Sequence, residues 1–176
     1  MSERTHLEEI SIRNLGIIEE SHLELGKGLN VLTGETGAGK TMILTALNLV
    51  LGGKSDSALV RHGSDRLTAS ATFSVNQKVN GDLAQILEEN NAFIEDSQVI
   101  FSRSVTAEGK SKASCNGTTV TASALAEMST HLIEIHGQSA NTQLVKPAKQ
   151  RELLDRFGGS TISDALALYS IQYESY

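Results

Sequence analysis

The sequence predicts an α/β fold carrying an antiparallel β-subdomain, and three features predict it. Short segments with period-two apolar alternation recur through the first two thirds of the chain. A compact apolar stretch at residues 29–33 runs directly into a glycine-rich loop, and an amphipathic helix follows that loop. The third feature is Asn116-Gly117 between two alternating segments, the strongest short-range hairpin signal. At 176 residues the chain can bury one sizeable core, whereas two full domains would be cramped.

The elements follow in order. Residues 7–14 and 18–25 read as two strands broken at Gly16, with Ile10 and Ile12, then Leu23 and Leu25, on alternating positions. Gly26-Lys27-Gly28 turns the chain into residues 29–33, expected as a short buried strand. From Lys40 to Leu51 the pattern is helical, with Ile43, Leu44, Leu47 and Val50/Leu51 on one face and Met42 also assigned to the core. Gly52-Gly53 stops that helix. Residues 68–75 alternate as a strand and 82–89 as a short helix. Residues 98–120 read as an antiparallel meander turning at Ala107-Glu108-Gly109-Lys110 and at Asn116-Gly117. Thr121 is placed to cap a helix over 122–131, and residues 132–135 are expected as a buried strand ending at His136-Gly137-Gln138. Pro147 opens a helix over 148–156. After Gly158-Gly159, Ser160 or Thr161 caps a last helix that reaches Tyr176.

Composition narrows the function classes. With 39% hydrophobic and 20% charged residues, the chain has the balance of a globular protein rather than a disordered one. The net charge of −6 gives no whole-molecule attraction to nucleic acid or anionic membranes, so any DNA contact has to be local. Cys115 is the single cysteine, which excludes an intramolecular disulfide and a cysteine-based zinc site. Residues 1–9 lack the apolar run of a signal peptide, and no apolar stretch approaches the roughly 20 residues that span a bilayer. A cytoplasmic chain with no membrane partner is expected.

The chemistry lies in Gly34-Glu35-Thr36-Gly37-Ala38-Gly39-Lys40-Thr41, a complete phosphate-loop pattern. Glycines at 34, 37 and 39 let backbone N–H groups turn inward around an anion. The helix beginning near Lys40 aims its positive dipole end at the same phosphates. Lys40 suits the β- and γ-phosphates, and the Thr41 hydroxyl suits Mg²⁺. No Asn-Lys-x-Asp pattern reads guanine, so ATP with Mg²⁺ is the expected ligand pair.

The order of parts resembles a known family. Ile12-Arg13-Asn14-Leu15, then Leu29-Asn30-Val31-Leu32-Thr33 into the loop, is similar to the N-terminal head of the SMC-like, ABC-type ATPases. Leu51-Gly52-Gly53-Lys54, Val60-Arg61-His62-Gly63, the hairpin from Gly109 to Gly117 and Ile135-His136-Gly137-Gln138 resemble their bacterial DNA-repair branch, the RecN family. The likeness runs from about residue 6 to residue 157. It implies a P-loop NTPase half-head at 1–158, followed from 159–176 by the start of a truncated coiled-coil arm. It also implies ATP-driven engagement with a second head, coupled to DNA binding in double-strand break repair. The family's Ser-Gly-Gly signature and its apolar strand ending in Asp-Glu are missing from these residues. A C-terminal half of the same head is therefore an expected partner.

Three further groups stay open on the residues alone. Gln138 is either a plain loop glutamine or a neutral magnesium ligand and water-positioner, and the resemblance implies the second. His136 fits a hydrogen-bonded structural residue better than a ligand. Arg61, Arg66, Arg103, Lys110 and Lys112 are either solvated surface cations or a DNA-phosphate patch, with the last three on the expected ribbon. A complete small P-loop kinase, and an interaction module that keeps the loop only for structure, are the competing functions.

Overall fold

The computed structural model describes residues 5–34, 38–75, 81–133, 135 and 147–174. The chain divides into two units, Met1–Glu134 and Ile135–Tyr176. The first is built on one six-stranded antiparallel sheet: β1 (His6–Leu15), β2 (Ile18–Glu24), β3 (Arg66–Ser74), β4 (Gln98–Thr106), β5 (Ser111–Cys115) and β6 (Thr118–Val120), in the order β2-β1-β3-β4-β5-β6. Among the described residues three α-helices accompany it, α1 (Ala38–Val50), α2 (Gly81–Glu89) and α3 (Ala122–Ser129). The second unit contains α4 (Pro147–Gly158) and α5 (Ser160–Glu174).

Strict alternation gives the sheet one dry face. Leu67, Ala69, Ala71 and Phe73 of β3 point inward, beside Val99, Phe101 and Val105 of β4. Phe73 and Phe101 meet at 5.6 Å between ring centroids with a 59° tilt, the offset geometry aromatic pairs prefer. α1 packs on β3, with contacts to β1 and β4, and buries Ala46, Leu47, Leu49 and Val50. α3 packs on β5 and α2 through Ala124, Leu125 and Met128. Cys115 is buried among these groups, which pushes its thiol pKa up to about 12 and keeps it protonated and unreactive at neutral pH.

The turns obey their residues. Asn116 and Gly117 both take positive φ (44° and 80°), as a two-residue hairpin of the mirror-image type requires. The Asn116 side chain also ties the turn down: its Oδ1 accepts from Ile100 N at 2.6 Å, and its Nδ2 donates to Phe93 O at 2.6 Å. Thr121 caps α3, its hydroxyl accepting from Ala124 N at 3.1 Å. α1 ends in a Schellman motif, with Gly53 N donating to Asn48 O at 2.9 Å and Gly52 N to Leu49 O at 3.2 Å.

Three sequence expectations are corrected. Residues 29–33 form no strand, and Leu29, Val31 and Leu32 are 91%, 72% and 47% exposed. A strand needs a ladder partner, and no described strand pairs here. Instead Asn30 closes a local loop, its Nδ2 donating to Gly26 O at 2.7 Å while its Oδ1 accepts from Gly26 N at 3.0 Å. Leu132 and Ile133 likewise form no strand: their N–H groups both donate to Ser129 O, prolonging the last turn of α3. Glu134 lies outside the described residues. Finally, Leu44 is 56% exposed rather than in the core. At about 100° per residue it stands about 200° round α1 from Ala46, and the side holding Ala46 faces the sheet.

Gly52 yields the sharpest stability test. Its φ is +88°, and a Cβ there would lie 2.4 Å from Ala122 O and 2.5 Å from Ala126 N. Gly52→Ala should therefore lose at least about 2 kcal/mol, through backbone strain and separation of α1 from α3. Urea unfolding of the two chains checks this, and equal midpoints would refute the contact.

Candidate phosphate-binding site

The site begins where α1 begins. Ala38, Gly39 and Lys40 form the first helical turn, whose backbone N–H groups stand at the positive end of the helix, the end at which helices bind anions. No acidic residue occupies that turn, so no side chain within it offsets the positive end of the helix dipole. Lys40 Nζ donates to the carbonyl of Gly34, across the mouth of the loop. The first glycine and the lysine of the motif are thus already together. Thr41 is exposed beside them, and its carbonyl accepts from Thr45 Oγ1 at 2.9 Å. Glu35, Thr36 and Gly37 lie outside the described residues, as do His136 and Gln138.

Sequence reasoning missed the brace behind this helix end. Gly16, in the β1–β2 turn, allows the Met42 side chain to pass: a Cβ on Gly16 would come within 2.9 Å of Met42 Sδ. The same turn is bonded to residues 59–61. Gly16 N donates to Leu59 O at 2.8 Å, and Arg61 N to Asn14 O at 2.8 Å. The Arg61 guanidinium donates to Ile17 O at 2.8 Å and stands 3.8 Å from Glu19. Asn14 adopts φ +55° at this junction and donates to Arg66 O at 3.2 Å. The available signal was the pairing of Asn14 and Gly16, two residue types that tolerate positive φ, around a break between strands.

The five cations singled out in the sequence do not form one patch. Arg66, Lys110 and Lys112 are exposed at one end of the sheet, while Arg61 is committed to the hairpin turn. Arg103 is corrected outright, because it is 4% exposed on the dry face, in line with Val99, Phe101 and Val105. The period-two pattern of β4 already required this orientation, and charge alone suggested the opposite. Among the described residues its buried Nε has no hydrogen-bond partner, and desolvation lowers the guanidinium pKa from its ordinary value.

An acid-free helix start behind a glycine-rich loop, with its lysine across the mouth, defines a phosphate-loop protein. The AAA domain family matches residues 9–172, and the chain belongs to that family. Within it the sequence is RecN-like. It is 41% identical over 164 residues to the DNA repair protein RecN of Streptomyces coelicolor, covering 92% of this chain and 28% of that one. It is also 41% identical over 153 residues to the DNA repair protein RecN of Vibrio cholerae, covering 87% and 27%. The chain therefore spans little more than a quarter of the length of these relatives. In fold it is similar to the Smc head domain with a coiled coil and joint from Pyrococcus yayanosii, at a TM-score of 0.66 and 20% identity, covering 96% of this chain and 35% of that one. The fold is the ABC/SMC-type head fold with its antiparallel β-subdomain.

Arg103 supplies the test for this section. A buried donor nitrogen without an acceptor destabilises, so Arg103→Met, similar in length and apolar, should leave stability unchanged or raise it by up to about 3 kcal/mol. Thermal and urea unfolding measure the change. A marked loss would mean that the guanidinium has a strong partner.

Proposed function

We propose that this chain is the nucleotide-gripping part of an SMC-type ATPase head that acts in the repair of DNA double-strand breaks. One observation carries the nucleotide reading: Lys40 lies across the mouth of the loop on Gly34 O, at an acid-free helix start. Exchanging that carbonyl for phosphate oxygens replaces a neutral acceptor by an anionic one, which adds ion-pair attraction to a hydrogen bond whose donor is already charged. The backbone N–H groups of the first turn of α1 hold the phosphates, and Thr41 offers its hydroxyl to the accompanying Mg²⁺. That ion would neutralise charge on the transferred phosphoryl group. Gln138 is assigned as a second, neutral magnesium ligand and water-positioner. The DNA-repair part of the proposal rests on the likeness to RecN proteins.

The same proposal gives the chain a partner. Leu29, Val31 and Leu32 expose apolar surface directly before the loop. A strand from a C-terminal half of the head would cover it and supply the missing ladder. Residues 1–158 then constitute this half-head, and 159–176 begin a helical arm. A second head would contribute its signature loop, and DNA is the further partner. The location that follows is cytoplasmic and nucleoid-associated.

Binding and turnover should separate in this chain. MgATP binding, followed by titration calorimetry, is expected in the wild type and absent in Lys40→Ala. Hydrolysis should stay near background, because the sequence contains neither an Asp-Glu pair nor a Ser-Gly-Gly signature. Each missing group of this kind typically accounts for a factor of about 10² or more in rate. A polypeptide carrying the missing half, added in trans, should restore phosphate release. Robust turnover by the chain alone, lost on Lys40→Ala, would favour a complete small kinase or ATPase. Unchanged affinity in Lys40→Ala would overturn the assignment of the loop.

A further inference from the structure

The segment between α2 and β4 holds an aromatic side chain in water on a backbone tied at both ends. Asn91 closes α2 with φ +55°: Ala92 N donates to Leu87 O and Asn91 N to Glu88 O, both at 2.9 Å, the Schellman pattern. Asp96 and Ser97, at φ +48° and +61°, make a two-residue turn across which Glu95 and Gln98 exchange backbone bonds of 3.1 and 2.7 Å. Between these turns Ala92 is buried, whereas Phe93 is 64% exposed. The Phe93 carbonyl is held by Asn116 Nδ2 at 2.6 Å, and Oδ1 of the same side chain accepts from Ile100 N at 2.6 Å. One asparagine therefore sets Phe93 beside Ile100, which is itself 41% exposed.

Single exposed hydrophobics are ordinary. Two side by side on a backbone already ordered make an anchor, because a partner meets an aromatic group whose ordering cost was met in folding. Charge says what kind of partner fits. Residues 81–102 include Asp82, Glu88, Glu89, Glu95 and Asp96, all exposed, and no lysine or arginine; Arg103, the next cation, is buried. That field repels nucleic acid and anionic lipid and attracts cations. A second copy of this chain does not match it. Arg66, Lys110 and Lys112 are exposed at the far end of the same sheet, and among the described residues no exposed large hydrophobic accompanies them.

We propose that Phe93 and Ile100 dock a basic amphipathic segment of another protein, its apolar residues covering the pair and its lysines or arginines facing Glu88, Glu95 and Asp96. The surface is built from other elements than the candidate phosphate site, so the inference does not depend on the nucleotide reading. Apolar contact gives the selectivity. The carboxylates speed the approach, and their share of the attraction fades as salt rises.

The test is fluorescence anisotropy of the full chain with a labelled synthetic peptide of alternating leucine and lysine, against a serine and lysine peptide of equal length and charge. The wild type should bind the leucine peptide at least about tenfold more tightly. Phe93→Ser should erase most of that preference at an unchanged thermal midpoint. Ile100→Thr, which keeps the β-branched shape a strand favours, should do the same. Glu95→Gln with Asp96→Asn should weaken both peptides and flatten the salt dependence. Glu19→Gln with Glu24→Gln, the same change of charge on β2, should leave both affinities near the wild-type values. Equal affinity of the wild type for the two peptides would overturn the proposal, and so would full retention of the preference in Phe93→Ser. Displacement of the leucine peptide by the C-terminal half of the head, supplied in trans, would also overturn it, by assigning the patch to the interior of the head.

Discussion

Everything at the phosphate site depends on how α1 is held against the dry face of the sheet. A helix start binds an anion only if its free N–H groups are fixed in direction, and a single helix cannot fix itself. Here the helix lies over β1, β3 and β4 and is approached closely at both ends by backbone lacking a Cβ. Gly16 accommodates Met42 near the first turn, and Gly52 accommodates α3 beyond the last. Ala69, Ala71 and Ala113 keep the sheet surface low, while Phe73, Phe101 and the aliphatic residues of α1 supply the apolar area. The candidate phosphate site and the core packing thus share one contact layer.

That layer explains why the β1–β2 hairpin, remote from the motif in function, belongs to the site in structure. Its turn touches α1 through Gly16 and is bonded to residues 59–61 by backbone hydrogen bonds and by Arg61. A displacement of the turn would therefore reach both α1, whose start is the candidate phosphate site, and the segment leading into β3. The positive φ of Asn14 is stabilised by its own side chain on Arg66 O, so the strained residue is tied to the strand it helps to position.

The two faces of the sheet differ in kind. The dry face packs against α1, and the outer face carries rows of Ser and Thr across several strands. Arg103 is the exception to this division. Its charge would suit the outer face, yet its place in the β4 alternation puts it in the core. A long, partly apolar stem can be accommodated between Ala69 and Ala113, its neighbours in register, though the Nε is left without an acceptor.

Local signals by themselves determined much of this protein. The phosphate loop, the Asn116-Gly117 hairpin, the Thr121 cap, the glycine stop after α1 and the alternating strands are all written in adjacent residues. Each is enforced by steric or hydrogen-bonding rules that operate within a few positions. Tertiary structure decided what those rules leave free. Residues 29–33 have the composition of a buried strand but lie exposed, because a strand exists only where a neighbour completes its ladder. Leu44 is apolar yet faces outward, because the sheet beneath the helix selects which side is covered. The brace of Gly16, Asn14 and Arg61 joins residues more than forty positions apart, and the hydroxyl rows emerge only once the register aligns separate strands. Such long-range arrangements are set by packing and pairing, which no local window of sequence encodes.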